Sequence, residues 1–224
     1  MSSLPAQFDA QTLSKLSARD LKVLIWRQKW LQTARPNQLP PDNIPWTEWI
    51  LRSGRGFGKT RSGAEWLAYE AIKSSTPLPC AVIAPTLSDV RYTCFEGHTG
   101  ILTLIPPEVV KDYNKTNLTI TLDNGVMIRG FSAEEPERLR GPQHQLGWLE
   151  EGAAWGKTDE DTFDMFMMGL RLGDRPRFVV TTTPKPRELI KQLTTPKAGR
   201  VVVGGSTYDN RANLPDSFFE QLKK

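Results

Sequence analysis

The stretch Ser53-Gly-Arg-Gly-Phe-Gly-Lys-Thr60 decides the fold class of this 224-residue chain. It follows the short apolar segment 47–51 (TEWIL), which predicts a strand. It leads into the segment 61–72, whose apolar residues recur at helical spacing; they are Ala64, Leu67, Ala68, Ala71 and Ile72. A glycine loop between a strand and a helix N-terminus matches the phosphate loop G-x-x-x-x-G-K-[ST], in which backbone N–H groups cradle phosphates. The sequence therefore predicts a triphosphate site here.

One position of this loop departs from the pattern. Ser53 stands where the first glycine is expected, although Gly54 and Gly56 still let the backbone approach a phosphate closely. Lys59 is predicted to reach the β- and γ-phosphates, and the Thr60 hydroxyl to hold Mg²⁺. The full predicted contact set is Ser53, Gly54, Arg55, Gly56, Phe57, Gly58, Lys59, Thr60 and Arg61. The alternative is a glycine-rich turn that binds nothing; the glycine spacing excludes a dinucleotide-binding G-x-G-x-x-G.

Two adjacent carboxylates supply the second half of such a site. The apolar segment 146–149 ends in Glu150 and Glu151. A phosphate loop needs one acid for the magnesium shell and one to act as general base on water, so we assign Glu150 to the metal and Glu151 to catalysis. The metal position is usually Asp, and Glu150 lengthens the reach by one methylene. The alternative is a solvated acidic turn after an edge strand.

Composition describes an ordinary globular domain. Hydrophobic residues make up 38% of the chain, and the formal charge is +4 with a pI near 9.1, which suits an anionic partner without demonstrating one. Two cysteines and two histidines lie too far apart for a disulfide framework or a zinc site. The first residues lack the features of a signal peptide, and no apolar run is long enough to span a membrane. We therefore expect a cytosolic protein.

Strand-like and helix-like segments alternate along the chain. The predicted strands after TEWIL are the segments CAVIAP, NLTITL, VMIRGF, QLGWL, RFVVTTT and RVVVGG. Helix-like pieces lie around 87–97, 159–170 and 186–193. Asp123-Asn-Gly125 predicts a hairpin, so we expect an α/β fold with a mainly parallel, helix-flanked sheet interrupted by one antiparallel pair.

The N-terminal region is predicted to be an extension of the main domain. Ser17 and Asp20 form a capping-box pattern for a helix that runs to about Ala34, where Pro36 ends it. A proline-rich connector follows. We place the extension at residues 1–40 and the domain at residues 41–224.

With these motifs placed, the chain resembles the N-terminal ATPase domain of tailed-phage large terminases. The segment 53–66 is similar to the arginine-bearing phosphate loop of that family, and 146–155 to its acidic motif. The segment 34–41 (ARPNQLPP) is similar to its adenine-recognition segment, and 181–186 (TTTPKP) to its coupling motif. The resemblance implies a P-loop NTPase fold of the additional-strand, catalytic-glutamate type, with ATP and Mg²⁺ as cofactors.

The resemblance also implies roles for individual residues. Arg35 and Gln38 would recognise adenine, because an amide can donate and accept on the adenine edge. Arg55 would place a guanidinium near the γ-phosphate. Thr181, Thr182 and Thr183 would sense loss of that phosphate and relay it. Ordinary polar loop residues and a buried strand end are the alternatives.

An arginine finger is expected because phosphoryl transfer builds charge on the equatorial oxygens. Arg140, in an Arg-Gly context eleven residues before Glu151, is the candidate for a finger acting in trans, and Arg138 is the second choice. A surface arginine in a salt bridge is the alternative. Whether the finger acts in cis or in trans stays open at this point.

The resemblance implies a viral motor that hydrolyses ATP to move double-stranded DNA into a procapsid. The implied partners are the DNA backbone, a portal protein, a small terminase subunit and other copies of the chain in a ring, with a monomer in solution left open and no membrane. The location would be the bacterial host cytoplasm, with transient docking on the procapsid. We expect no nuclease domain in these 224 residues. The alternatives are a nucleotide-gated docking protein with little turnover and a helicase-like DNA-dependent ATPase.

DNA contacts are poorly localised by the sequence. Candidate phosphate-binding side chains are Arg171, Arg175, Arg177, Lys185, Arg187 and Lys191. A basic surface that merely keeps the protein in solution explains them equally well.

Overall fold

A computed structural model describes residues 14–222 of the chain. The α-helices are α1 (Ala18–Thr33), α2 (Lys59–Ile72), α3 (Leu87–Asp89), α4 (Ile101–Leu104), α5 (Asp159–Gly169), α6 (Glu188–Thr194) and α7 (Asp216–Leu222). A π-helix, Val90–Phe95, continues α3. The 3₁₀ turns are Pro36–Gln38, Pro107–Val109, Pro136–Leu139, Gly152–Ala154, Gly156–Thr158 and Thr207–Asn213. Within residues 14–222, no helix is both long and apolar enough to cross a bilayer.

One eight-stranded sheet forms the centre of the domain. Its strands are β1 (Glu48–Ser53), β2 (Cys80–Ala84), β3 (Val110–Asn114), β4 (Thr119–Leu122), β5 (Met127–Ser132), β6 (Leu146–Glu150), β7 (Arg177–Thr182) and β8 (Arg200–Gly205). They lie in the order β3-β4-β5-β2-β6-β7-β1-β8. Every pairing is parallel except β3 with β4 and β4 with β5. The predicted α/β class, the mainly parallel sheet and the hairpin at Asp123–Gly125 are confirmed.

The antiparallel part is larger than predicted. We expected a single antiparallel pair, but β3 adds a third strand at the edge of the sheet. The sequence did not reveal β3 because Lys111, Asp112 and Asn114 are exposed polar residues in a strand that has only one neighbour. Edge strands are commonly blunted in this way by charged side chains, which removes the apolar alternation that identifies a strand.

The order of the central strands places one strand between β1 and β6. That strand is β7, which pairs with β1 on one side and β6 on the other. The phosphate loop follows β1 and the acid pair closes β6, so both lie at the carboxyl edge of the same parallel sheet. In open α/β sheets ligands bind at this edge.

Helices cover both faces of the sheet. On one face α2 packs through Leu67 against Leu51, and on the other Phe166 of α5 and Ile190 of α6 pack near Ile50. Burial on both faces explains why the central strands read as continuous apolar runs, as parallel strands usually do. The sheet edge that carries the site is therefore held rigidly from both sides.

The N-terminal helix α1 packs against α2, the helix that follows the glycine loop. Ser17 caps α1 by accepting a hydrogen bond from the Asp20 backbone N–H, which confirms the predicted start. The ring centroid of Trp26 in α1 lies 6.4 Å from that of Tyr69 in α2, and the Arg61 guanidinium lies over the Trp30 ring. This contact encloses α2 more completely than an amphipathic helix requires, and it buries Glu65, whose side chain is only 1% exposed.

Burial of Glu65 predicts a pH-dependent stability. Burial, opposed in part by Arg61, raises the pKa of Glu65 to about 7, so the folded state binds a proton that the unfolded chain loses above pH 4.5. The protonated Glu65 carboxyl therefore makes its full contribution to stability below pH 4.5, and this contribution is lost as pH rises through 7. At pH 8 the ionised carboxylate costs on the order of 3 kcal/mol.

We expect Glu65→Gln to raise the unfolding temperature by several degrees at pH 8 and to change it little at pH 5, measured by circular dichroism. The control is Glu188→Gln, because Glu188 is 71% exposed. An equal gain at both pH values for Glu65→Gln would show that ionisation of this carboxyl does not limit stability.

Candidate nucleotide-binding site

The glycine loop leaves β1 and turns into the N-terminus of α2. Gly56 and Gly58 adopt φ values of +75° and +92°, a left-handed backbone that glycine enters without steric cost. Lys59 opens the helix, and its buried Nζ donates to the carbonyl oxygens of Ser53 at 3.1 Å and Gly54 at 3.0 Å. The lysine thus spans the hollow that the loop encloses.

Electrostatics in this hollow favour an incoming anion. Burial lowers the pKa of Lys59, the charges of Glu151 and Glu150 raise it, and Arg55 lowers it. A second positive charge therefore acts on the same hollow, although the Arg55 side chain is exposed. Polyphosphate oxygens would relieve both the desolvation of Lys59 and its repulsion by Arg55.

The metal-assigned acid lies directly against the loop helix. Glu150 accepts a hydrogen bond from the Thr60 hydroxyl at 2.6 Å on Oε1, and Thr181 donates to Oε2. Burial raises the pKa of the Glu150 carboxyl, while the Thr181 and Thr60 hydrogen bonds oppose the rise. Residues 90 positions apart in sequence thus meet with their oxygen atoms in contact.

A missing side chain on α2 makes this meeting possible. A Cβ atom at Gly63 would lie 2.3 Å from Nε1 of Trp148, so the helix backbone rests directly on the indole of β6. The same Nε1 donates to Thr181 Oγ1 at 2.9 Å. Because the helix lies this close to the sheet, its first turn brings Thr60 to Glu150.

The second acid is held by the neighbouring strand end. Glu151 adopts φ 47°, a left-handed conformation that is uncommon for a residue with a side chain. Its Oε1 accepts from the Thr183 backbone N–H at 3.1 Å and from the Thr183 hydroxyl at 2.5 Å. Thr182 accepts from the Ala153 backbone N–H at 3.0 Å, which secures the turn after Glu151.

All three threonines assigned to coupling therefore touch the acidic turn. Thr181 binds the side chain of Glu150, Thr183 binds that of Glu151, and Thr182 binds the backbone just beyond. One strand end consequently sets the positions of both carboxylates.

The donor set around Thr60 fits a magnesium ion. Hydroxyl and carboxylate oxygens are the ligands that Mg²⁺ prefers. Across residues 14–222, no group of three or more His, Cys, Asp or Glu could hold a metal. Thr60 and Glu150 alone would therefore give an incomplete shell, which is the expected situation where substrate phosphates and water supply the other ligands.

The adenine-recognition candidates lie on the outer side of the loop. Arg35 stacks over the Phe57 ring at 4.7 Å and donates to the Phe57 carbonyl oxygen. Gln38 is buried, and its Nε2 donates to the Gly58 carbonyl oxygen at 3.3 Å. A cavity of about 240 Å³ opens beside them; its lining is Arg35, Pro36, Asn37, Phe57 and Asp209. The segment predicted to recognise adenine therefore lies directly against the glycine loop.

Three arginines predicted to act at the nucleotide are not brought to Lys59. Arg61 pairs with Glu65 at 3.4 Å and turns back toward α1. Arg140 is 68% exposed, pairs with Glu137 at 3.3 Å and lines a cavity of about 340 Å³ beside the C-terminal end of α5. Arg138 pairs with Glu135 on the same exposed turn. Glu151 lies before the opposite end of α5, an 11-residue helix roughly 16 Å long.

The DNA-contact candidates are divided between paired and less constrained side chains. Arg177, Arg187 and Lys191 form ion pairs with Glu70, Asp159 and Glu188. Arg175 reaches the Trp46 carbonyl oxygen at 3.5 Å. This arrangement does not single out any of them as a DNA ligand.

Sequence reasoning missed a third segment of the site. Thr207, Asn210, Leu214 and Phe218 all contact the glycine loop, although they lie about 150 residues beyond it. We assigned no site residue to the segment after β8 from the sequence, because nothing in the residue types there identifies a partner for the loop.

Comparison with known proteins identifies a family. The family model described as terminase large subunit, T4likevirus-type, N-terminal matches residues 50–224. No curated protein is similar enough in sequence to count as a relative.

Solved structures share the fold. The large terminase ATPase domain of Thermus phage P74-26 is 15% identical, with a TM-score of 0.53 over 80% of this chain and 88% of that one. A large terminase from a thermophilic bacteriophage, in complex with ADP, is 17% identical with a TM-score of 0.55 over 92% and 49%. The HK97 bacteriophage large terminase is 16% identical with a TM-score of 0.54 over 74% and 38%. The chain therefore spans about half the length, or less, of the last two proteins.

The contact between Gly63 and Trp148 gives a prediction. Gly63→Ala would force α2 away from β6, because a Cβ at 2.3 Å from the indole cannot be accommodated. We expect a loss of roughly 1–3 kcal/mol in unfolding free energy. We also expect a clear loss of Mg·ADP affinity in calorimetric titration, since Thr60 and Glu150 separate.

The matched control is Gly204→Ala, because a Cβ at Gly204 meets only the Arg52 carbonyl oxygen at 3.6 Å. If Gly63→Ala bound Mg·ADP as tightly as Gly204→Ala, the close packing of α2 would not be what assembles the site.

Proposed function

Because the chain belongs to the family of terminase large subunits and has the fold of their ATPase domains, we propose that it hydrolyses Mg·ATP to drive double-stranded DNA into a procapsid. The observation that carries the proposal is the 2.6 Å hydrogen bond between Thr60 and Glu150. It joins the phosphate loop to the acid pair, and a nucleotide-hydrolysing site requires both parts at one place.

Nucleotide binding would use the phosphate loop, the acid pair and the adenine-recognition segment. The loop backbone and the α2 N-terminus face the phosphates, with Lys59 reaching the β- and γ-oxygens. Thr60 and Glu150 would hold Mg²⁺, which neutralises charge on those oxygens when bound. Arg35 borders the cavity in which the base would lie, and Gln38 holds the Gly58 carbonyl oxygen beside it. ADP is present in the structure of the similar terminase, which supports an adenine nucleotide here.

Glu151 would act as the general base of hydrolysis. Thr183 holds Oε1, which leaves Oε2 to accept a proton from the attacking water. The water oxygen would form the new bond to the γ-phosphorus as the bond from that phosphorus to the bridging oxygen of ADP breaks. Thr183 is a positioning residue in this step, because it touches the base and not the phosphate.

Loss of the γ-phosphate would be relayed through β7. Thr181 binds the carboxylate of Glu150, and Thr183 binds that of Glu151. A change in the charge or hydrogen bonding around either carboxylate would therefore act directly on the end of β7. This geometry supports the coupling role proposed for the threonine run, with Thr182 anchoring the turn behind it.

Arg140 would complete the site of a neighbouring copy. Its exposure and its place beside the far end of α5 suit a side chain that acts on another subunit. An arginine finger is worth about 10³–10⁵ in rate. A ring of subunits docked on a portal protein, assisted by a small terminase subunit in the host cytoplasm, is the proposed setting. Contacts to DNA would be to phosphates, because a motor must move through any sequence.

Glu151→Gln tests the base directly. We expect kcat for phosphate release to fall by about 10²–10⁴, because the amide cannot accept the proton, while Mg·ATP binding is retained. Glu160→Gln is the control, since Glu160 is an exposed carboxylate on α5. Phosphate release and calorimetric binding are the measurements. Tight binding with negligible turnover in the unmodified chain, with and without DNA, would instead favour a nucleotide-gated docking protein.

Mixing two variants tests the trans role of Arg140. Arg140→Ala and Glu151→Gln are each expected to be inactive. An equimolar mixture should regain part of the phosphate release, because an intact Arg140 then faces an intact Glu151 across some interfaces. Arg138→Ala is the matched control and should stay active alone. A mixture as inactive as its components would exclude a finger at Arg140 acting between subunits.

A further inference from the structure

Three successive carbonyl groups of the glycine loop, those of Gly56, Phe57 and Gly58, are each held by a side chain from elsewhere in the chain. Gln38 donates to the Gly58 oxygen, and Arg35 to the Phe57 oxygen. Asn210 donates through Nδ2 to the Gly56 oxygen at 2.6 Å. In a trans peptide group the C=O of one residue and the N–H of the next point in opposite directions. Holding these carbonyls therefore fixes the peptide planes from Gly56 to Lys59: the Phe57 N–H donates to the Gly54 oxygen at 3.4 Å, and the Gly58 and Lys59 amides point away from the Arg35 and Gln38 side chains.

Asn210 differs from the other two because it holds two parts of the site at once. Its Oδ1 accepts from Arg35 Nη1 at 2.5 Å while its Nδ2 binds the loop. Arg35 in turn carries the cation–π contact to Phe57 and borders the base cavity. One amide side chain thus links the phosphate loop to the adenine-recognition segment.

The segment around Asn210 is packed closely enough to fix this amide. A Cβ at Gly54 would lie 2.4 Å from Thr207 Oγ1, and one at Gly56 would lie 2.9 Å from Leu214 Cδ1. The backbone of Asn210 is kinked, with φ −106° and ψ 19°, inside the 3₁₀ stretch Thr207–Asn213. The loop therefore rests against this segment over several residues, and the amide is its central polar contact.

We propose that Asn210 is a positioning residue of the nucleotide site, which holds the phosphate loop and Arg35 together in the conformation that binds the adenine nucleotide. The inference rests on the proposed function, because it concerns the same site. Preorganisation of a loop before binding lowers the entropy lost on binding, so loss of Asn210 should weaken nucleotide affinity. The base Glu151 lies on another strand end and does not contact Asn210, so the chemical step should be spared.

Two substitutions separate the two hydrogen bonds of Asn210. Asn210→Ala removes both. Asn210→Asp has the same size and keeps an acceptor for Arg35, but it cannot donate to the Gly56 oxygen. Arg211→Ala is the control from the same segment, since the Arg211 side chain is 65% exposed and pairs with Asp216.

The experiment measures Mg·ADP affinity by calorimetric titration and KM and kcat for ATP by phosphate release. We expect both Asn210 variants to raise Kd and KM by about tenfold, equivalent to about 1.4 kcal/mol, with kcat within about twofold of the unmodified chain. Arg211→Ala should match the unmodified chain in all three quantities. Unfolding temperature without nucleotide is recorded for every variant, and Asn210→Asp carries the test if Asn210→Ala does not fold.

The possible results are distinguishable. Values of Kd and KM within about twofold of the unmodified chain for Asn210→Asp would overturn the inference. An equal loss for Arg211→Ala would also overturn it, because the effect would then belong to the segment as a whole. Absence of Mg·ADP binding and turnover in the unmodified chain would instead overturn the proposed function itself.

Discussion

The contact between Thr60 and Glu150 is the interaction on which the site depends. β7 separates β6, which carries Glu150, from β1, which leads into the loop and α2, so the contact must cross two strand spacings, roughly 10 Å in total. Only the loop and the first turn of α2 cross that gap, and they reach β6 because Gly63 lets the helix backbone lie on Trp148. The absence of one methyl group on α2 therefore decides whether the lysine, the threonine and the acids share one space.

The strand between them is equally constrained. Thr181, near the end of β7, and Thr183, just beyond it, each bind one carboxylate of the acid pair. A buried carboxylate such as Glu150 is costly unless its oxygens are hydrogen-bonded, and hydroxyl groups supply that bonding without adding charge. A lysine or arginine side chain there would pair with the carboxylates and occupy the place proposed for Mg²⁺. A run of threonines is consequently a better solution than lysine or arginine at this strand end.

The extent to which the sequence predicts this molecule follows the distance over which each signal acts. Local signals succeeded: Ser17 starts α1, Asp123–Gly125 forms the hairpin, and the central strands fall where their apolar runs lie. The site residues themselves stay predictions, although the structure does bring the loop and the acid pair together. Two features had no local signal. A glycine within a helix normally lowers helix stability, so the sequence does not identify Gly63 as a packing contact. Asn210 contacts Gly56 across 154 positions of sequence, which no local pattern predicts.

The loop has contacts with both ends of the described chain. Arg35 and Gln38 donate to loop carbonyl groups from the region before β1, and Asn210 donates from the region after β8. If the domain opened at its terminal segments, these hydrogen bonds to the loop would break. A nucleotide that binds only this closed arrangement must stabilise it by mass action. Nucleotide binding would therefore stabilise the attachment of both terminal segments to the loop. By reciprocity, detachment of either segment would lower nucleotide affinity by the same coupling free energy.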